Sequence, residues 1–148
     1  MRLILTCLLG FSLMGCGGGF LSTARTINYQ AATVLAETDR SIAPQYRKAS
    51  EEALEASQSL EEYEGRMEPW NRVEEALRAS YEALKAFEAI LDAYEAGSEG
   101  NVLRAVLDVA EAIDHLLTAC VALGLDEARE VLQLHTDLIQ FFRQPEGQ

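Results

Sequence analysis

An all-α fold, an up-and-down antiparallel bundle of four helices, is what three features of this 148-residue chain predict. The composition is rich in Ala, Glu and Leu and poor in β-branched residues, with only three prolines, which favours helix over sheet. Apolar residues recur at spacings of three and four over long stretches, so they share one face of a helix. The segments carrying this pattern are joined by short polar turns, which implies antiparallel neighbours.

The helical pattern begins at about Leu21. Ile27, Ala31, Val34, Leu35, Thr38 and Ile42 form one face, and Pro44 then removes a backbone donor and disfavours helical geometry at Ala43. The stripe nevertheless continues in phase through Tyr46, Ala49, Ala53, Ala56, Leu60, Tyr63 and Met67. One long helix, kinked near Pro44 and packed as in a coiled-coil seam, accounts for this. The alternative is a break at Pro44, with Asp39 or Ser41 capping a fifth helix. Gly65, with Pro69 four residues on, is expected to make the first turn and to place proline in the first turn of the next helix. That helix carries Trp70, Val73, Leu77, Ser80/Tyr81, Leu84, Phe87, Leu91 and Tyr94. A loop follows over Gly97-Ser98-Glu99-Gly100-Asn101, and Asn101 is placed to cap the third helix, Val102 to Leu123.

The third helix is the most apolar. Leu103, Val106, Val109, Ala110, Ile113, Leu116, Leu117, Cys120 and Val121 cover about half of its circumference, the pattern of the most buried helix. Gly124 supplies its C-terminal cap and Asp126 the next N-cap. A last helix is expected from about Glu127 to Phe142, with Val131, Leu132, His135, Leu138, Ile139 and Phe142 inward.

Ahead of this bundle, residues 21–143, stands a different kind of sequence. Arg2 is followed by an apolar run from Leu3 to Met14 and then by small residues ending at Cys16, which is the layout of an export signal. The run is about twelve residues, and a bilayer-spanning helix needs roughly twenty. Leu13-Met14-Gly15-Cys16 resembles the lipobox of bacterial lipoproteins. The resemblance covers about a tenth of the chain. It implies cleavage between Gly15 and Cys16, loss of residues 1–15, and acylation of Cys16, so that a covalent lipid (palmitate or similar) anchors the protein. Gly17, where an aspartate would retain enterobacterial-type lipoproteins in the inner membrane, implies the periplasmic face of the outer membrane if the source has two membranes. Residues 16–20 are then a short Gly-rich tether and residues 144–148 a polar tail.

The formal charge of −12 disfavours nucleic acid and anionic lipid headgroups as ligands. Once Cys7 leaves with the signal and Cys16 carries lipid, Cys120 has no partner for an intramolecular disulfide, and its apolar neighbours mark it as a buried, inert residue.

Catalytic signatures are lacking. Asp108, Glu111 and His115 share one face of the third helix and have ligand chemistry for a divalent metal. Arg104 lies on the same face, however, and the arc is opposite the apolar one, so a solvated Glu–His pair is the simpler expectation. The Glu-x-x-His and His-Glu-x-x-His patterns are absent. Tyr29 and Tyr81 are the candidates for a partner surface, since tyrosine is enriched at interfaces. The expectation is a non-enzymatic envelope lipoprotein without a cofactor, held to the membrane by its lipid and binding an envelope protein or a second copy. Its rivals are a periplasmic carrier of a lipid or other hydrophobic ligand, an enzyme or metal protein built on Asp108, Glu111 and His115, and an envelope lipoprotein encoded by a phage or mobile element.

Overall fold

The computed structural model describes residues 20–98, 100–126, 128 and 132. They form three α-helices and, among the described residues, no strand: α1 (Phe20–Ala56), α2 (Leu60–Glu95) and α3 (Val102–Ala122). At 1.5 Å per residue, α1 and α2 are rods of about 55 Å and α3 is about 30 Å long.

Cross-helix contacts fix the directions. Arg25 near the start of α1 bonds Asp92 and Glu95 at the end of α2. Midway, the Tyr46 ring stands edge-on to Trp70 with centroids 6.0 Å apart. Near the turn, Ser50 Oγ lies 3.0 Å from Tyr63 Oη. These pairs define an antiparallel hairpin. α3 then runs back along α2: the Ser80 hydroxyl is shared between the carbonyl of Ala76 on its own helix, at 2.9 Å, and that of Ala112 on α3, at 3.1 Å. α2 is therefore the central rod, packed against α1 on one side and α3 on another. Ser80 is fully buried, and a residue this small lets the two backbones approach at that crossing.

The first turn is not where Gly65 and Pro69 predict it. α1 ends at Ala56, the chain reverses through Ser57-Gln58-Ser59, and both Gly65 and Pro69 lie inside α2. The local reason is a capping box. Ser59 Oγ accepts from the Glu62 N–H at 3.2 Å, and the Glu62 carboxylate reaches back to accept from the Gln58 N–H at 2.9 Å. These bonds satisfy one donor of the first helical turn and one of the loop before it, and Glu61 and Glu62 in the first turn complement the helix dipole. Ala56 and Leu60, expected to continue the apolar stripe, are exposed on either side of the reversal.

Pro44 does not split α1, which runs through it as one helix. Its position explains the tolerance. Pro44 and Arg40, whose carbonyl loses the proline's missing N–H, are both exposed, so water is available to that carbonyl. The same holds for Pro69 and Gly65, which stand four apart on the exposed side of α2.

The core is built from Ala24, Ile27, Ala31, Leu35 and Ile42 of α1, Val73, Leu84, Phe87 and Leu91 of α2, and Val102, Ala105, Val109, Ile113, Leu116, Leu117 and Cys120 of α3. The buried face of α3 differs in detail from the expected one. Leu103 is 62 % and Val121 50 % exposed, while Val102 and Ala105 turn inward. Tyr94, expected on the stripe of α2, is also exposed. Asn101 caps α3 as expected, its Oδ1 accepting from the Arg104 N–H at 2.9 Å. Gly124 follows the helix with φ +69°, a conformation in which the lack of a Cβ matters.

Beyond Gly124, Asp126 is itself helical rather than a cap, and Leu125, Ala128 and Leu132 are buried in the same core. The rest of the expected last helix, including Val131, His135, Leu138, Ile139 and Phe142, lies outside the described residues. The described bundle therefore has three full helices, and the four- or five-helix count is not established by them.

Candidate functional site

Two ends of the α1–α2 hairpin carry chemically distinct surfaces. At the first, the N-terminus of α1 meets the C-terminus of α2. Arg25 donates from Nε and Nη2 to both carboxylate oxygens of Glu95 and from Nη2 to Asp92 at 2.9 Å. The guanidinium holds the Glu95 carboxyl below its usual range, through those hydrogen bonds first and its charge second. Around this clasp, Leu21, Ser22, Arg25, Thr26, Tyr29 and Glu95 line an open groove of about 530 Å³. Tyr29 is 75 % exposed at its edge.

A second groove, of about 330 Å³, runs along α2 and is lined by Glu74, Leu77, Arg78, Tyr81, Glu82 and Lys85. Partial burial, and secondarily the charge of Asp39 on α1, raise the Tyr81 hydroxyl above its ordinary pKa. Tyr29 and Tyr81 thus both edge surface grooves, but not the same one, and the structure does not gather them into a single patch.

At the opposite end is the tip, where α1 passes into α2. Leu54 and Leu60 flank the turn and are 69 % and 72 % exposed. Glu51, Glu52, Glu55, Glu61 and Glu64 neighbour them in sequence and are all exposed. Lys48 approaches Glu52 at 3.7 Å and Arg66 pairs with Glu62 at 3.1 Å. Glu51, Glu55, Glu61 and Glu64 have no ion pair among the described residues. Beneath this surface Ala53 and Met67 are buried.

The remaining sequence candidates are dispersed. Asp108 is engaged by Arg104 at 2.8 Å, and Glu111 and His115 are exposed on the same helix. Among the described residues no three His, Cys, Asp or Glu side chains are grouped so as to hold a metal ion. Cys120 is fully buried, and burial pushes its thiol up to about 11, which leaves it protonated at neutral pH. Gly15 and Cys16 lie outside the described residues, as does His135. No described helix is long and apolar enough to cross a membrane.

Arg25 and the tip leucines are the features that sequence pattern missed. Arg25 is the one basic residue in an otherwise uncharged first stretch of α1, yet nothing in spacing ties it to residues some seventy positions away. Leu60 fits a helical stripe as long as the helix is drawn through it, whereas Leu54 stands one position off that stripe. The Ser59-x-x-Glu62 signature would have placed the reversal between them. Compared with protein-family models, curated proteins and solved structures, the chain matches none.

Proposed function

We propose that this protein is a membrane-anchored bacterial lipoprotein that works without catalysis, as an interaction or structural subunit of the cell envelope. The observation that carries the reading is the Leu13-Met14-Gly15-Cys16 sequence at the end of a short apolar run, with only Gly17-Gly18-Gly19 between Cys16 and Phe20, the first residue of α1. Three residues span at most about 10 Å, so a lipid on Cys16 holds the start of α1 against the bilayer. Two or three acyl chains at one cysteine give stable attachment where one gives a marginal one.

At this end α1 brings no carboxylate before Glu37, and the Asp92 and Glu95 carboxylates that α2 brings beside it are both engaged by Arg25. The hairpin then places its tip about 55 Å from the start of α1, away from the anchor. Such a rod suits a subunit that spaces or presents a surface rather than one that encloses a substrate.

The test is metabolic labelling with an alkyne-tagged palmitate in a bacterial host, followed by membrane fractionation. The expected result is label on the native protein, membrane attachment, and loss of both in Cys16→Ser. An unlabelled native protein, or a Cys16→Ser protein that is labelled and fractionates as the native one does, would overturn the reading.

A further inference from the structure

The tip of the α1–α2 hairpin combines features that helix stability does not require. Glu55 lies in the last turn of α1, where the helix dipole already concentrates negative charge and where a cation would be the stabilising choice; no basic residue is present there. Glu51 adds to the same field one turn earlier. Leu54 stands between them in sequence, exposed, and Leu60 repeats the arrangement across the turn beside Glu61 and Glu64. Glu61 is accounted for by the start of α2, but Glu51, Glu55 and Glu64 are not.

We propose that this tip is a docking surface for a basic amphipathic segment of a partner protein. The partner's aliphatic side chains cover Leu54 and Leu60, and its Lys or Arg side chains meet Glu51, Glu55 and Glu64. Charge complementarity decides the occupant. A second copy would bring an identical acidic tip against this one, a like-charge arrangement that costs rather than gains. Two leucines also fall well short of the roughly 800 Å² per partner that a stable dimer buries. An anionic bilayer is repelled for the same reason. A basic partner gains from every unpaired carboxylate, associates fast, and binds weakly enough to be salt-sensitive. The assignment does not depend on acylation of Cys16, because every residue it names lies at the α1–α2 turn.

The experiment measures binding of a fluorescently labelled 18-residue leucine–lysine amphipathic peptide to the full-length protein by anisotropy, at low and at high salt, with a leucine–glutamate peptide of the same pattern alongside. Three proteins are compared: the parent, Leu54→Ser/Leu60→Ser, and Glu51→Gln/Glu55→Gln/Glu64→Gln. Thermal unfolding followed by circular dichroism accompanies each. The expected result is binding of the lysine peptide only, weakened about tenfold or more by either variant and by high salt. The glutamine variant should unfold no earlier than the parent, since it removes charge from an unfavourable position. Binding equally tight in parent and leucine variant would overturn the proposal, placing the peptide elsewhere on the acidic surface. A parent that self-associates in sedimentation, and does so less in the leucine variant, would assign the tip to a second copy and also overturn it.

Discussion

Arg25, at the start of α1, and Glu95, the last residue of α2, meet through two hydrogen bonds, Nε to Oε1 at 2.8 Å and Nη2 to Oε2 at 2.6 Å. The fork of the guanidinium matches both carboxylate oxygens, a geometry in which Lys would not substitute for Arg. The clasp ties the two helices at the open end of the hairpin, beside the buried Ala24, Ile27 and Leu91.

The clasp predicts a pH dependence. Glu95 is held below its ordinary value of 4.5 in the folded protein, chiefly by the Arg25 hydrogen bonds. A depressed carboxylate contributes stability that is present above the unfolded-state value and lost as pH falls through the lowered folded value. Arg25→Met should therefore unfold at a modestly lower temperature than the parent at pH 7, and the gap should close as pH falls below about 4. Because the pair is solvent-exposed, high salt should narrow the gap as well. Melting curves of both proteins across pH check this. A gap that persists unchanged in acid would show that Arg25 acts through packing of its aliphatic stem.

Pro69 offers a second prediction. It sits inside α2 and supplies no N–H to the carbonyl of Gly65, four residues earlier. Neither residue is needed for a turn, and a Cβ built on Gly65 meets nothing within 4 Å, with no positive φ to resist it. Pro69→Ala should stabilise the protein by about 1–3 kcal/mol, by restoring a helical hydrogen bond and removing the ring. Gly65→Ala should add about 0.5–1 kcal/mol through helix propensity. Urea denaturation of the two single variants and the pair measures both. A loss of stability in Pro69→Ala would mean that the ring's own contacts or the backbone angle it fixes stabilise α2.

Those two residues also show where the sequence was legible and where it misled. Periodicity identified the buried faces well where tertiary packing is continuous: Ile27, Ala31, Leu35, Thr38 and Ile42 on α1, and Val73, Ser80, Leu84, Phe87 and Leu91 on α2, are all buried. It failed at the tip, because the stripe stays in phase across the reversal and periodicity alone cannot register a change of direction. Gly65 and Pro69 look like a turn but are tolerated on an exposed helix face, whereas Ser59 and Glu62 make one by hydrogen bonding. Leu103 and Val121 mislead in the same way. Half of α3 is apolar, and only its packing against α2 and the core selects which half is covered. The clasp was illegible because a single arginine carries no periodic signal. The acidic tip was visible as charge, but the exposure of Leu60 was hidden in the stripe.

Thr38 supplies the last prediction. It occupies the core face of α1 between Leu35 and Ile42 and is fully buried, and its hydroxyl has no hydrogen-bond partner among the described residues. Burying a hydroxyl without a partner costs about 1–3 kcal/mol. Valine has nearly the same shape and the same β-branching, so Thr38→Val removes the polar atom without opening a cavity or crowding its neighbours. The variant should be more stable than the parent by about 1 kcal/mol, read as a higher urea midpoint with an unchanged slope. Thr38→Ala separates the two contributions, because it removes the same hydroxyl but also a buried methyl, and it should gain less or lose stability. A clear loss of stability in Thr38→Val would show that the hydroxyl is hydrogen-bonded in solution and that the α1 seam depends on that bond.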